Sequence, residues 1–112
     1  MAQRTIKAGS LRHRVEVQAL VDPLNTTREA VPEWRTEYAR WGELRPLSSR
    51  ELLQNDQIEA RTTHEYETRY WDGLKFTHRI FYRDRVFHIT GIRDIGERRR
   101  VYVISLVEVI DP

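Results

Sequence analysis

The 112-residue chain predicts a mainly β fold: a small antiparallel β-barrel or sandwich of about six strands, with one short helix and long loops. Three observations point there. Apolar residues recur with period two in several short stretches. Turn-forming clusters separate these stretches. No helical pattern stands between successive strands, so the βαβ alternation of a parallel sheet is missing.

The strands follow in order. Met1–Ser10 carries Arg4 and Lys7, contains no acid and has no strong period, so it reads as an N-terminal arm. It also lacks an apolar stretch and so does not read as a secretory signal. The barrel domain runs over 11–112. In Leu11–Leu20, Leu11, His13, Val15, Val17 and Ala19 share one face, the signature of a half-buried strand. Val21–Pro32 is polar and rich in turn formers, a loop expected to be mobile in a free subunit. Trp34–Leu44 is rich in aromatics and reads as a strand, with Gly42 allowing a bulge or a close backbone contact. Pro46 stops it.

Ser48 and Glu51 then have the S-x-x-E spacing of a capping box. A helix of two turns, about Ser49–Asn55, follows and needs a surface to dock on. Ile58–Trp71 is the longest alternating run. One face carries Thr62, His64, Tyr66, Thr68 and Tyr70, and the other carries Glu59, Arg61, Glu65, Glu67 and Arg69. Asp72-Gly73 is a turn. Arg79–Tyr82 and Val86–Ile92 form a hairpin around Arg83-Asp84-Arg85. Asp94–Arg100 is a further turn. Val101–Ile110 is apolar on both faces, as a strand covered on both sides must be. The expected core is Val15, Val17, Trp41, Phe87, Ile89, Val103 and Leu106.

Composition narrows the function. Hydrophobic residues make up 39% and charged residues 32%, so the core is thin and a partner can complete it. No apolar run is long enough for a membrane-spanning helix. There is no cysteine, hence no disulfide or thiolate chemistry. The net charge is +2, from 19 basic and 17 acidic residues. All the basic residues but Lys7 and Lys75 are arginine, the cation suited to carboxylate and phosphate pairing, though a GC-rich genome gives the same bias.

No catalytic or metal constellation emerges, and no cofactor is expected. His13, His64, His78 and His88 lack ligand spacing, although strand ends could bring His64 and His88 together. Glu59, Glu65 and Glu67 alternate with Arg61 and Arg69, which predicts cross-strand ion pairs rather than acid–base chemistry. Ser48 and Ser49 have no nucleophile elbow, and the five glycines stand singly, so no phosphate loop exists. Arg12 and Arg14, and the run Arg98, Arg99 and Arg100, are candidate interface or DNA-facing residues. Aromatics interleaved with arginines also leave open a stand-alone, OB-like nucleic-acid-binding barrel.

The order of the pieces carries a resemblance. It runs from A-G-S-L-R-H-R-V-E-V-Q at Ala8–Gln18 to W-G-E-L-R-P-L-S-S-R-E-L-L at Trp41–Leu53. T-H-E-Y-E-T-R-Y at Thr63–Tyr70, R-V-F-H-I-T-G-I at Arg85–Ile92 and E-R-R-R at Glu97–Arg100 follow. This resembles the head-closure, or head–tail joining (stopper), proteins of long-tailed bacteriophages, found also in prophages and gene transfer agents. The resemblance implies a non-enzymatic β-barrel in the neck of a virion, assembled in the host cytoplasm. It implies a homo-oligomeric ring of six or twelve subunits, with portal and adaptor on one side and the tail terminator on the other. Double-stranded DNA passes through the channel, and no membrane is involved. The ring helps retain packaged DNA and provides the surface for tail docking. The channel or ring-interface segment would span 45–57, with Arg45, Ser48, Arg50, Glu51, Leu52, Leu53 and Gln54 as its candidate residues. Ser49 stands where relatives often carry glycine.

Overall fold

A computed structural model describes residues 11–21, 32–48 and 62–110. Six strands, β1 (His13–Val21), β2 (Glu33–Pro46), β3 (His64–Arg69), β4 (Arg79–Tyr82), β5 (Arg85–Asp94) and β6 (Val101–Val109), form a closed barrel. The order around the wall is β1-β2-β3-β6-β5-β4, and every neighbouring pair is antiparallel. Closure pairs most strand edges, which would otherwise be open to non-specific pairing. The mainly β expectation is met. The predicted helix falls outside the described residues.

Period two builds the core. Val15 and Val17 of β1, Leu44 of β2, Tyr66 of β3, Ile80 of β4, Phe87 of β5 and Tyr102, Ile104 and Leu106 of β6 meet inside. Ile89 is only partly buried and packs against this cluster. From Val101 to Leu106 every residue of β6 is buried, so the strand apolar on both faces is covered on both.

Trp41 departs from the expected core and is 54% exposed. The cause is its neighbour. Gly42 points inward against Tyr66, where an added Cβ would lie 2.5 Å from Tyr66 Cζ and collide with the Glu67 carbonyl. Alternation along β2 then turns Trp41 outward. Tyr66 fills the room that Gly42 leaves, and its hydroxyl donates to the carbonyls of His13 (2.8 Å) and Arg40 (3.1 Å).

Among the described residues the longest strand is β2, at 14 residues. Of the alternating run over 58–71, His64–Arg69 is strand, and 58–61 lies outside the described residues. After Arg69 the chain leaves the wall. Trp71 packs edge-on against Tyr102 at 5.7 Å and tilted against Tyr38 at 5.6 Å, with the Arg40 guanidinium 4.5 Å from its ring centre. Tyr38 and Trp71 of this aromatic group pack, partly buried, against the core.

The hairpin between β4 and β5 turns on Arg83 (φ 47°) and Asp84 (φ 64°). Two successive left-handed residues twist in the sense the flanking strands require. Between β5 and β6 a 3-10 turn, Ile95–Glu97, contains Gly96 at φ 70°. The Asp94 carboxylate accepts the Arg99 backbone N–H at 3.1 Å and holds this turn.

Candidate functional site

Antiparallel order sorts the loops onto two ends. The starts of β1, β3 and β5 and the ends of β2, β4 and β6 share one rim. Arg12, Arg45, Ser48, the Arg83-Asp84 turn and Ile110 therefore gather there. Arg98, Arg99 and Arg100 precede β6 and lie at the opposite end, all exposed. The two basic groups singled out from sequence are thus separated by the length of the barrel.

Arg45 begins the 45–57 segment, but it is engaged within the fold. Its Nη2 lies 2.5 Å from Glu65 Oε1 and 3.4 Å from Glu67 Oε1. Arg93 reaches Glu65 Oε2 at 3.0 Å. Glu65 sits on β3 opposite Ser105 of β6, and Arg93 sits on β5 opposite Val103 of β6. The Arg93 side chain therefore crosses β6, and the small Ser105 leaves it room. Glu65 and Glu67 are buried, at 8% and 9% exposure, so this face is an ion-paired layer rather than a solvated one. Cross-strand ion pairs were expected for Glu65 and Glu67, and Arg45 and Arg93 supply them. Arg61 lies outside the described residues, and Arg69 is exposed. Ser48 is exposed, while Arg50, Glu51, Leu52, Leu53 and Gln54 lie outside the described residues.

The histidines have separate settings. His13 Nδ1 accepts the Leu44 N–H at 3.0 Å. His78 Nδ1 accepts the Lys75 N–H, which leaves Nε2 to donate to Glu37 at 2.6 Å. His64 stacks edge-on against Phe87 at 5.0 Å, and its Nε2 lies 3.2 Å from Arg85. Burial, and then the Arg85 charge, hold the His64 pKa below the ordinary value. Arg85 grips both oxygens of Glu108, at 2.9 and 3.0 Å, and this bonding keeps the Glu108 pKa low. His88 is exposed and stands on the other face of β5 from Phe87. Among the described residues no group of three acidic or histidine side chains could hold a metal ion.

One surface escaped the sequence reading. The exposed Trp41 stands between two clefts. Arg12, Arg14, Glu16, Tyr82 and Arg83 line the first, of about 250 Å³, and Leu11, Ala39, Arg40 and Arg69 line the second, of about 550 Å³. Arg12 and Arg14, Arg69 and Arg83, from three separate stretches of chain, thus flank one aromatic side chain, with Glu16 among them, while the Arg40 guanidinium is turned to Trp71. The signal was present in Gly42: an inward glycine puts the preceding tryptophan outside. The aromatics of a base-stacking surface are largely used elsewhere, since Tyr66 and Phe87 are core and Tyr70 and Trp71 pack against it.

A family model described as phage head completion protein matches residues 6–109. Among solved structures, the chain is similar to protein SF1141 from Shigella flexneri 2a, with a TM-score of 0.71 and 23% identity. That match covers 91% of this chain and 96% of the other. A chain in the virion of a native gene transfer agent particle matches with a TM-score of 0.60 and 12% identity, over 90% of this chain and 97% of its own length. At these identities the structural matches show a shared fold. No curated protein matches.

Proposed function

This chain belongs to the phage head completion protein family, and from that premise we propose that it is a ring-forming connector that closes the filled head and receives the tail. As a family member it is a structural component of a phage or phage-like virion. The observation that carries the finer reading is the extent of the family match, which takes in every described strand. The same fold in a gene transfer agent virion supports it. So does the architecture. A closed barrel keeps its own strands paired while its loops gather at two ends, the geometry a subunit needs to meet one ring above and another below.

In this reading the ring is homo-oligomeric, with portal and adaptor on one face and the tail terminator on the other. DNA passes through the middle. A near-balanced charge suits a channel that must let DNA slide, because a strongly basic lining would hold it by counterion release. The protein acts by binding, not by catalysis. The 45–57 segment leaves the end of β2, anchored where Arg45 meets Glu65 and Glu67. We assign it the channel or inter-ring contact. Arg50 supplies an ion pair, and Leu52 or Leu53 an apolar anchor.

The test is complementation of a producing strain that lacks this gene with Arg50→Glu/Leu53→Ala. The purified variant keeps the wild-type circular dichroism spectrum. The resulting particles lose their DNA or fail to attach tails. Normal yields of infectious or DNA-transferring particles would remove the assignment of this segment.

A further inference from the structure

A ring built from one kind of subunit needs two different complementary patches on each copy, on separate sides, so that each contact is head-to-tail. The described surface offers such a pair. The first patch is the Trp41 face on the outside of β1 and β2, with its flanking clefts and a rim of Arg12, Arg14, Arg69 and Arg83 beside the single acid Glu16. The second is the end of β6, where Val109 and Ile110 are 44% and 83% exposed. Five large apolar residues are exposed among the described residues, and these two patches hold three of them.

Their placement is set by topology. In the closed order β6 is two strands from β2, which carries Trp41, and three from β1, so the end of β6 and the Trp41 face lie on different walls. Charge agrees. The Trp41 face carries the guanidinium groups of Arg12, Arg14, Arg69 and Arg83 against the single acid Glu16; at the β6 end Glu108 is already held by Arg85, and Asp111 follows Ile110 in the sequence. A tryptophan beside arginines is the composition of an interface hot spot. An aliphatic pair followed by a carboxylate is what such a socket would accept.

We propose that Val109 and Ile110 of one copy seat against Trp41 of the next, in the clefts between Arg14 and Arg69. This inference rests on the ring-connector reading and names its contact. The contact is heterologous, so repetition by a fixed rotation closes a ring and leaves the opposite barrel end, with Arg98, Arg99 and Arg100, free for another partner.

The native chain has no cysteine, so engineered cysteines report cleanly. Ala39→Cys and Ile110→Cys variants are incorporated into particles and treated with a short bismaleimide. The double variant yields a ladder of linked oligomers, and co-expressed single variants yield linked dimers only. Trp41→Glu weakens incorporation by about tenfold or more, as loss of a hot-spot residue does. Self-linking of Ala39→Cys alone would show a two-fold contact and overturn the proposal. So would an absence of linkage in particles that contain the chain and retain DNA. Absence of the wild-type chain from purified particles is a separate result. It would remove the connector reading itself, and this contact with it.

Discussion

At the scale of single residues, Phe87 and Tyr66 set what the interior tolerates. Phe87 has no exposure and stacks against His64. Phe87→Ala should cost about 3–5 kcal/mol in denaturant melts, from lost burial and the cavity left behind. Tyr66 is different because it carries a polar group into the core. Burial pushes its pKa far above the ordinary 10, against the opposing Arg40 charge. Burial also raises Tyr102 to about 12, helped by its hydrogen bond to Tyr70. The sign follows from linkage. Above pH 10 the unfolded chain releases these phenolic protons while the folded chain keeps them, so this stability is full below pH 10 and is lost as pH rises. Tyr66→Phe should flatten that alkaline loss. It should also cost about 1–3 kcal/mol at neutral pH, because the His13 and Arg40 carbonyls lose their donor. Thermal melts at neutral pH and above pH 10 check both parts.

At the scale of elements, turns and registers carry the design. The β4–β5 hairpin places Arg83 and Asp84 in the left-handed region, where a side chain is strained and glycine is not. Asp84→Gly should therefore stabilise the protein by about 0.5–1 kcal/mol, seen as a higher melting temperature with an unchanged spectrum. Arg83 should be left in place, because it lies 5.2 Å from the Tyr82 ring centre and lines the smaller cleft. A different device ties β2, β3 and β5 together. Arg45 and Arg93 converge on Glu65 from both sides, and the small Ser105 lets Arg93 pass over β6. Removing one partner of so buried a group leaves the others charged and uncompensated.

At the scale of the whole molecule, the barrel stands on its own core and presents its remaining apolar surface outward. Trp41 is the clearest example. It is half exposed, and the nearby bond from the Thr68 hydroxyl goes to its backbone carbonyl rather than its ring. Trp41→Ser should therefore change the stability of the isolated subunit by no more than about 0.5 kcal/mol. A chemical melt of the purified protein checks this. A large loss would show that the indole belongs to the core after all. The contrast with Phe87 separates residues that hold the subunit together from residues kept for its neighbours.

The sequence by itself determined the class of fold, most strand positions and the family. Each rests on local information. Period two marks Val15, Val17 and Phe87 as inward. Asp72-Gly73 marks a turn. The apolar run of Val101–Val109 marks a strand covered on both faces. Only the tertiary structure decided which face of β2 points inward, because its aromatics alternate with polar residues on both sides. Gly42 settles the phase, but only once Tyr66 is known to lie against it. Partners across the sheet were equally hidden. Glu65 could have paired with any nearby arginine, and the register of β3 on β2 and β6 selects Arg45 and Arg93. Closure of the barrel likewise sends Arg12 and Arg98 to opposite ends and gathers Arg14, Arg69 and Arg83 around Trp41. Such placements depend on shear and strand order, which join residues far apart in the chain and leave no mark in any short stretch of it.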